Sequence, residues 1–222
     1  AEVADRLGVP LVDFVRPVKV PSVRPDVLSH FYVDEEVLEA DVVLNLPKLK
    51  SHRQLCFTAA VKNLYGCMPG KRKAYWHMAR GRQDLDFAQL VASFAYTVAP
   101  HLNIIDGVMA MERDGPQGGD PRSLGVLIAS PDPAAADSVV EALIRPPADD
   151  SLLLNACRRL NLGAPDLART DLLGDPLEAC AVSDFVHPWL MGVAFSPVRL
   201  ARSAWRNFVI TRLSGNRTAA SP

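Results

Sequence analysis

At 222 residues with 49% apolar side chains, the chain is long enough to bury the core of one large domain. A formal net charge of −1 excludes a globally basic nucleic-acid binder, and no run of about 18 apolar residues offers a transmembrane helix. The four cysteines, Cys56, Cys67, Cys157 and Cys180, contain no Cys-x-x-Cys pair, which excludes a zinc ribbon or a ferredoxin-type cluster motif and fits a reducing, cytoplasmic compartment.

The chain opens without Met and without a signal-peptide pattern, in what reads as a helix end, Val3 to Leu7 followed by Gly8; a segment ahead of it is expected to be missing. Leu11 to Val15 and Val18 to Val20 read as short extended segments between Pro10, Pro17 and Pro21. Asp34 to Ala40 reads as a short helix with acids in its first turn, and Asp41 to Leu46 as a buried strand stopped by Pro47. A helix is expected over Thr58 to Tyr65, ended by Gly66, and then a long basic loop from Cys67 to Gln83. Apolar residues at 87, 90, 91, 94, 95 and 98 predict a helix over Leu85 to Val98. Leu102 to Asp106 is the next strand, Gly107 a turn, Asp114 to Pro121 a glycine-rich loop, and Leu124 to Ala129 a further buried strand. Asp132-Pro133 reads as an N-cap with Pro at the first helical position, opening a helix to about Leu143.

This alternation predicts an α/β layered fold with a largely parallel central sheet flanked by helices, over residues 1–184. Residues 185–222 carry no acid, while Arg199, Arg202, Arg206, Arg212 and Arg217 recur. With Trp205, Phe208, Val209 and Leu213 on one face, they read as a basic C-terminal helical extension, either packed on the domain or touching a membrane surface or a partner.

Residues 42–83 carry nine Lys or Arg and no Asp or Glu, threaded with apolar and aromatic side chains. Such a block repels itself unless something negative sits among it, so it reads as a folded pocket wall for an anionic small molecule. In open parallel sheets ligands bind beyond the carboxyl ends of the strands. One strand end offers Asn45, Lys48, Lys50 and His52; Lys48 and Lys50 alternate in extended chain and so share a side, with Leu49 opposed. Lys62, Asn63 and Lys71, with the backbone of Gly118 and Gly119, complete the expected anion cradle. Lys50, His52, His77 and Asp106 are the candidate catalytic groups, because a crowded lysine or a histidine can move a proton near neutral pH. Glu112 and Asp137 are candidate ligands for a metal ion that would bridge to the anion. For Asp132 capping is the expected task, and for Cys67 packing rather than thiolate chemistry.

The blocks Asn45-Leu46-Pro47-Lys48-Leu49-Lys50-Ser51-His52, Val61-Lys62-Asn63-Leu64-Tyr65-Gly66-Cys67-Met68-Pro69-Gly70, Ile105-Asp106-Gly107, Gly115-Pro116-Gln117-Gly118-Gly119 and Ala129-Ser130-Pro131-Asp132-Pro133 through Asp137 closely resemble the family filed as domain of unknown function 362. Their order and spacing agree from about Val9 to Cys180. The family has no general established activity. Many of its members join this domain to a ferredoxin-like segment and are labelled iron–sulfur proteins. The resemblance therefore implies redox chemistry, with an iron–sulfur or ferredoxin-like protein as a partner, although this chain lacks the cysteine set for a cluster. Together these features predict an enzyme acting on an anionic substrate or cofactor. The alternatives are an accessory electron-transfer or docking module and a peripheral membrane protein using the Arg-rich tail.

Overall fold

Pro47 divides one long strand into two functional pieces, and the architecture follows from that break. The structure, a computed structural model, describes residues 2–147 and 151–193. Strands β3 (Leu44–Asn45) and β4 (Lys48–His52) lie on either side of Pro47 and both run parallel to the same strand, β6 (Leu102–Glu112). Leu44 stands opposite Leu102, and Lys48 opposite Asp106. The Asp106 N–H donates to the Pro47 carbonyl at 2.8 Å, so the ladder continues across the proline. Strand β5 (Cys56–Thr58) folds back antiparallel on β4, and β7 (Asp120–Ser130) folds back antiparallel on β6. The parallel pairing expected from the sequence thus forms the centre of the sheet, and hairpins form its edges. A separate hairpin, β1 (Pro17–Pro21) with β2 (His30–Asp34), packs Phe31 edge-on against Phe94 at 5.2 Å.

The chain begins with helix α1 (Glu2–Leu7), and Asp34 caps α2 (Glu35–Glu39) by accepting from the Glu36 N–H. Helices α3 (Ala60–Leu64) and α6 (Pro133–Ile144) lie directly on the sheet. Behind them pack α5 (Asp84–Val98) and α7 (Leu152–Leu160), and a short α8 (Leu177–Cys180) borders α6. The period predicted for α5 is realised: Phe87, Leu90, Val91, Phe94, Ala95 and Val98 are all buried. Asp132 caps α6 as expected, accepting from the Ala134 and Ala135 N–H groups.

Leu49, Ile105 and Ile128 point into this helical layer and are buried. Each contributes about 2 kcal/mol by leaving water. On the opposite face Leu44, Leu46 and Leu127 stay 54%, 62% and 65% exposed. Among the described residues the helices therefore cover one face of the sheet.

Three expectations are corrected. The buried strand read over Asp41 to Leu46 is paired only at Leu44–Asn45, and Val42, Leu44 and Leu46 are exposed. Gly107 stays within β6, and the irregularity around it is a shift of register against both neighbours. The basic segment from Cys67 to Gln83 contains a helix, α4 (Arg72–Arg80). Its half-buried residues Lys73, Trp76, His77 and Arg80 follow helical spacing. Three of them are basic and only Trp76 is apolar, so apolar periodicity alone does not show that face.

The domain also continues past residue 184. Phe185 and Val193 are buried, the Val186 N–H donates to Glu112, and the Val193 N–H donates to Asp84. The predicted helical face of Trp205, Phe208, Val209 and Leu213 lies outside the described residues.

Candidate anion-binding site

Strand alternation turns Lys48, Lys50 and His52 to one side of β4, while Leu49 and Ser51 are buried on the other. Across the hairpin Lys50 stands opposite Thr58. These groups line a cavity of about 400 Å³ together with Lys62, Asn63, Tyr65, Gly66, Lys73 and Pro116. Four ammonium groups and one imidazole share this lining, and among the described residues it contains no carboxylate.

Lys62 reaches the cavity because α3 is pinned over the sheet. Ala59 offers no side-chain cap, so the cap comes from a distant residue. Asp137 of α6 accepts from the Ala60 N–H at 2.6 Å and the Val61 N–H at 3.2 Å. A chain of amides holds the same helix from the strand side. Asn45 donates to the Ala60 carbonyl at 3.0 Å and to Asn103 at 2.8 Å, and Asn63 donates to Asn45 at 2.8 Å. Asn103 in turn donates to the Ser130 and Pro131 carbonyls. Buried amides satisfied this fully fix one geometry.

The cations differ in their surroundings. Lys48 is ion-paired with Asp106, which holds that carboxyl below its ordinary range. Lys73 donates to the Gly66 carbonyl at 3.2 Å. The Lys62 Nζ lies 4.9 Å from the centre of the Tyr65 ring, a cation–π contact. That ring is held edge-on by Phe87 and Phe94 at 5.9 and 5.8 Å. Burial, and then the neighbouring Lys73, lower Lys62 from 10.5 to about 8.

His52 is lowered to about 4 by burial and by Lys62 and His77. Its Nδ1 accepts from the Gln54 N–H at 3.1 Å, so the ring proton is on Nε2. At neutral pH His52 is an uncharged hydrogen-bond donor.

The other predicted site residues fall elsewhere. His77 is on α4, its ring 4.1 Å from that of Phe87, and burial lowers it to about 4. Lys71 is the exposed residue before α4 and does not line the cavity; Lys73, two positions on, does. The sequence could not choose between them because the choice depends on the helical register of α4.

Gly118 and Gly119 lie in the β6–β7 hairpin loop. A Cβ on Gly119 would stand 2.1 Å from the Glu112 carbonyl oxygen, so glycine is needed there for close backbone packing. Gly115 similarly lies against Ser51, whose hydroxyl donates to the Arg113 carbonyl and accepts from the Gly115 N–H. This seats the loop on β4 and brings Pro116 to the cavity.

Glu112 and Asp137 are not brought together. Glu112 ends β6 opposite Asp120, whereas Asp137 serves α3 near the Asn103 end. Asp137 is fully buried and raised to about 7, its two N–H donors opposing the effect of burial. Among the described residues no group of three or more His, Cys, Asp or Glu is placed to hold a metal ion. Burial pushes Cys67 up to about 11, which agrees with packing rather than thiolate chemistry.

The fold and cavity define a mixed α/β domain with a lysine-lined pocket at the break in its central strand. Residues 1–141 match the model of the family described as Domain of unknown function (DUF362), and the chain belongs to that family. It is 39% identical over 204 residues to the thylakoid-associated protein sll1697 of Synechocystis sp.. That match covers 92% of this chain and 63% of the relative, so the chain spans less than two thirds of the relative's length. No solved structure matches it. Among the described residues no helix is long and apolar enough to cross a membrane.

Proposed function

We propose that this domain is an enzyme that binds a small anion, a phosphate- or carboxylate-bearing substrate or cofactor, and carries out proton-transfer or redox chemistry on it. The observation that carries this reading is the convergence of Lys48, Lys50, Lys62 and Lys73 on one cavity with, among the described residues, no carboxylate in its lining. Among the described residues, Lys48 is the one of the four with an acidic partner at hand. The remaining charge repels itself until an anion enters, so binding relieves a cost already present in the free protein. A concave site of this size suits a small molecule better than the flat face of an acidic redox protein.

The test is calorimetric titration with inorganic phosphate and pyrophosphate. Lys50→Met and Lys62→Met are each expected to weaken binding at least about tenfold, near 1.4 kcal/mol. The wild-type affinity should be full below about pH 8 and decline above it, because the anion binds the protonated form of Lys62. Unchanged affinity in both variants would sink the reading.

A second reading concerns location. The relative's thylakoid association and the acid-free stretch after residue 184 support contact with a membrane surface. Flotation with phosphatidylglycerol–phosphatidylcholine vesicles should recover the full chain, and deletion of 194–222 should abolish recovery. Equal recovery of both proteins would refute it.

A further inference from the structure

We infer that Lys62 is a nucleophilic amine that forms a protonated imine with a small aldehyde or ketone carrying the anionic group. This rests on the anion-binding reading of the pocket and adds the reaction centre and the substrate class. Lys62 sits on a helix held from both ends, by Asp137 at its first N–H groups and by the Asn45–Asn63 amide pair at its strand side. Its amine lies against the Tyr65 ring, and among the described residues no carboxylate pairs with it.

The other lining cations surround it. Lys48 is tied to Asp106, Lys73 to the Gly66 carbonyl, and Lys50 stands on β4 across from Thr58. Burial and a like charge disfavour the ammonium, the cation–π contact offsetting them only in part, and a lysine desolvated next to another cation is the arrangement that makes an amine nucleophilic. The lowering of Lys62 to about 8 agrees with this, leaving roughly a tenth of it neutral at pH 7. The same neighbouring ammonium groups would hold the anionic end of the substrate, which places its carbonyl carbon beside Lys62, the amine that burial and Lys73 favour in its neutral form.

The step balances without any further reactant. The Lys62 nitrogen bonds the carbonyl carbon, and the carbon–oxygen bond breaks. The oxygen leaves as water carrying two of the three ammonium hydrogens, and the positive charge remains on the imine nitrogen. That cation is an electron sink, so it would ease loss of a proton or of carbon dioxide from the adjacent carbon. His52, uncharged with its proton on Nε2, is suited to donate a hydrogen bond to an anionic oxygen.

The experiment traps the imine. The full chain is treated with pyridoxal 5′-phosphate, unphosphorylated pyridoxal or glyoxylate, each followed by cyanoborohydride, and modified lysines are located by peptide mass spectrometry. Lys62 should carry at least tenfold more adduct than any other lysine with one or both anionic aldehydes. Pyridoxal should label it at least tenfold less, and inorganic phosphate should protect it. Preference for pyridoxal phosphate over glyoxylate assigns a phosphate-bearing substrate, and the reverse a carboxylate-bearing one.

Lys62→Arg keeps the charge but not the nucleophilic amine, and should lose the adduct. Labelling spread over surface lysines with Lys62 unmodified would overturn the inference. If phosphate binds by calorimetry in that event, the anion pocket stands and only the imine chemistry falls. If phosphate neither binds nor protects, the anion pocket itself fails, and the inference with it.

Discussion

Replacing Asp137 with Ala is expected to lower the thermal unfolding midpoint by roughly 10 °C, taking about 3 kcal/mol of lost stability at a few degrees per kcal/mol for a chain of this size. No candidate site residue is more deeply enclosed than this side chain, and its exposure is 0%. Its two oxygens accept the Ala60 and Val61 N–H groups, the orphan donors that open α3. Alanine would leave both donors buried with nothing to accept them, and would open a small void between α3 and α6. Asn keeps one acceptor oxygen and should lose about half as much. Because α3 carries Lys62 and Asn63, Asp137→Ala should also weaken phosphate binding in protein that is still folded. Calorimetric melts of the three proteins test the ranking. An Ala variant that melts within about 2 °C of wild type would show that the cap is not what holds α3.

Asp137 also shows how much the sequence could disclose. Its position one helical turn past Asp132, at a strand end, made it a candidate metal ligand, and the structure gives it a role in placing the site rather than in filling it. The same holds for Asn45, which holds the helix carrying Lys62 and does not line the cavity. Lys48, Lys50, His52, Lys62 and Asn63 were legible because strand alternation and local charge identify them without tertiary knowledge. Lys73, Tyr65 and Pro116 were not. Each reaches the cavity through a register or a docked loop, and neither leaves a periodic apolar trace. Asn103 left a fainter signal, a single amide in an apolar strand, which gains meaning only when Asn45 stands across from it. In the fold, α5 and α6 were plain from period and cap, whereas β4 showed only as extended chain, because two of its five residues are charged and its pairing with β6 is not local.

Acidification should destabilise this protein well before its ion-paired carboxylates are protonated. His52 and His77 both fall from an ordinary 6.5 to about 4 in the folded state, chiefly because burial disfavours the charged ring. Between those values the unfolded chain binds two protons that the folded chain does not. Asp137 acts in the opposite sense, since it is raised from 3.8 to about 7 and so is protonated in the fold and ionised in the unfolded chain over that window. The unfolded state therefore binds about one more proton on balance. Stability rises with pH wherever the unfolded state binds more protons, so it is lost as pH falls from 6.5 to 4, by about 3 kcal/mol in all.

Removing one group at a time separates these contributions. Asp137→Asn cannot titrate and should roughly double the slope of stability against pH in this window. His52→Gln should bring it close to zero, and His77→Gln should do the same. Urea titrations at half-unit steps of pH measure all four proteins on one scale. A wild-type curve that stays flat from pH 6.5 to 4 and falls only below it would mean that one of the two imidazoles takes up its proton freely in the fold, leaving the other balanced by Asp137, and that the pocket admits water and charge where the packing around that ring implies that it does not.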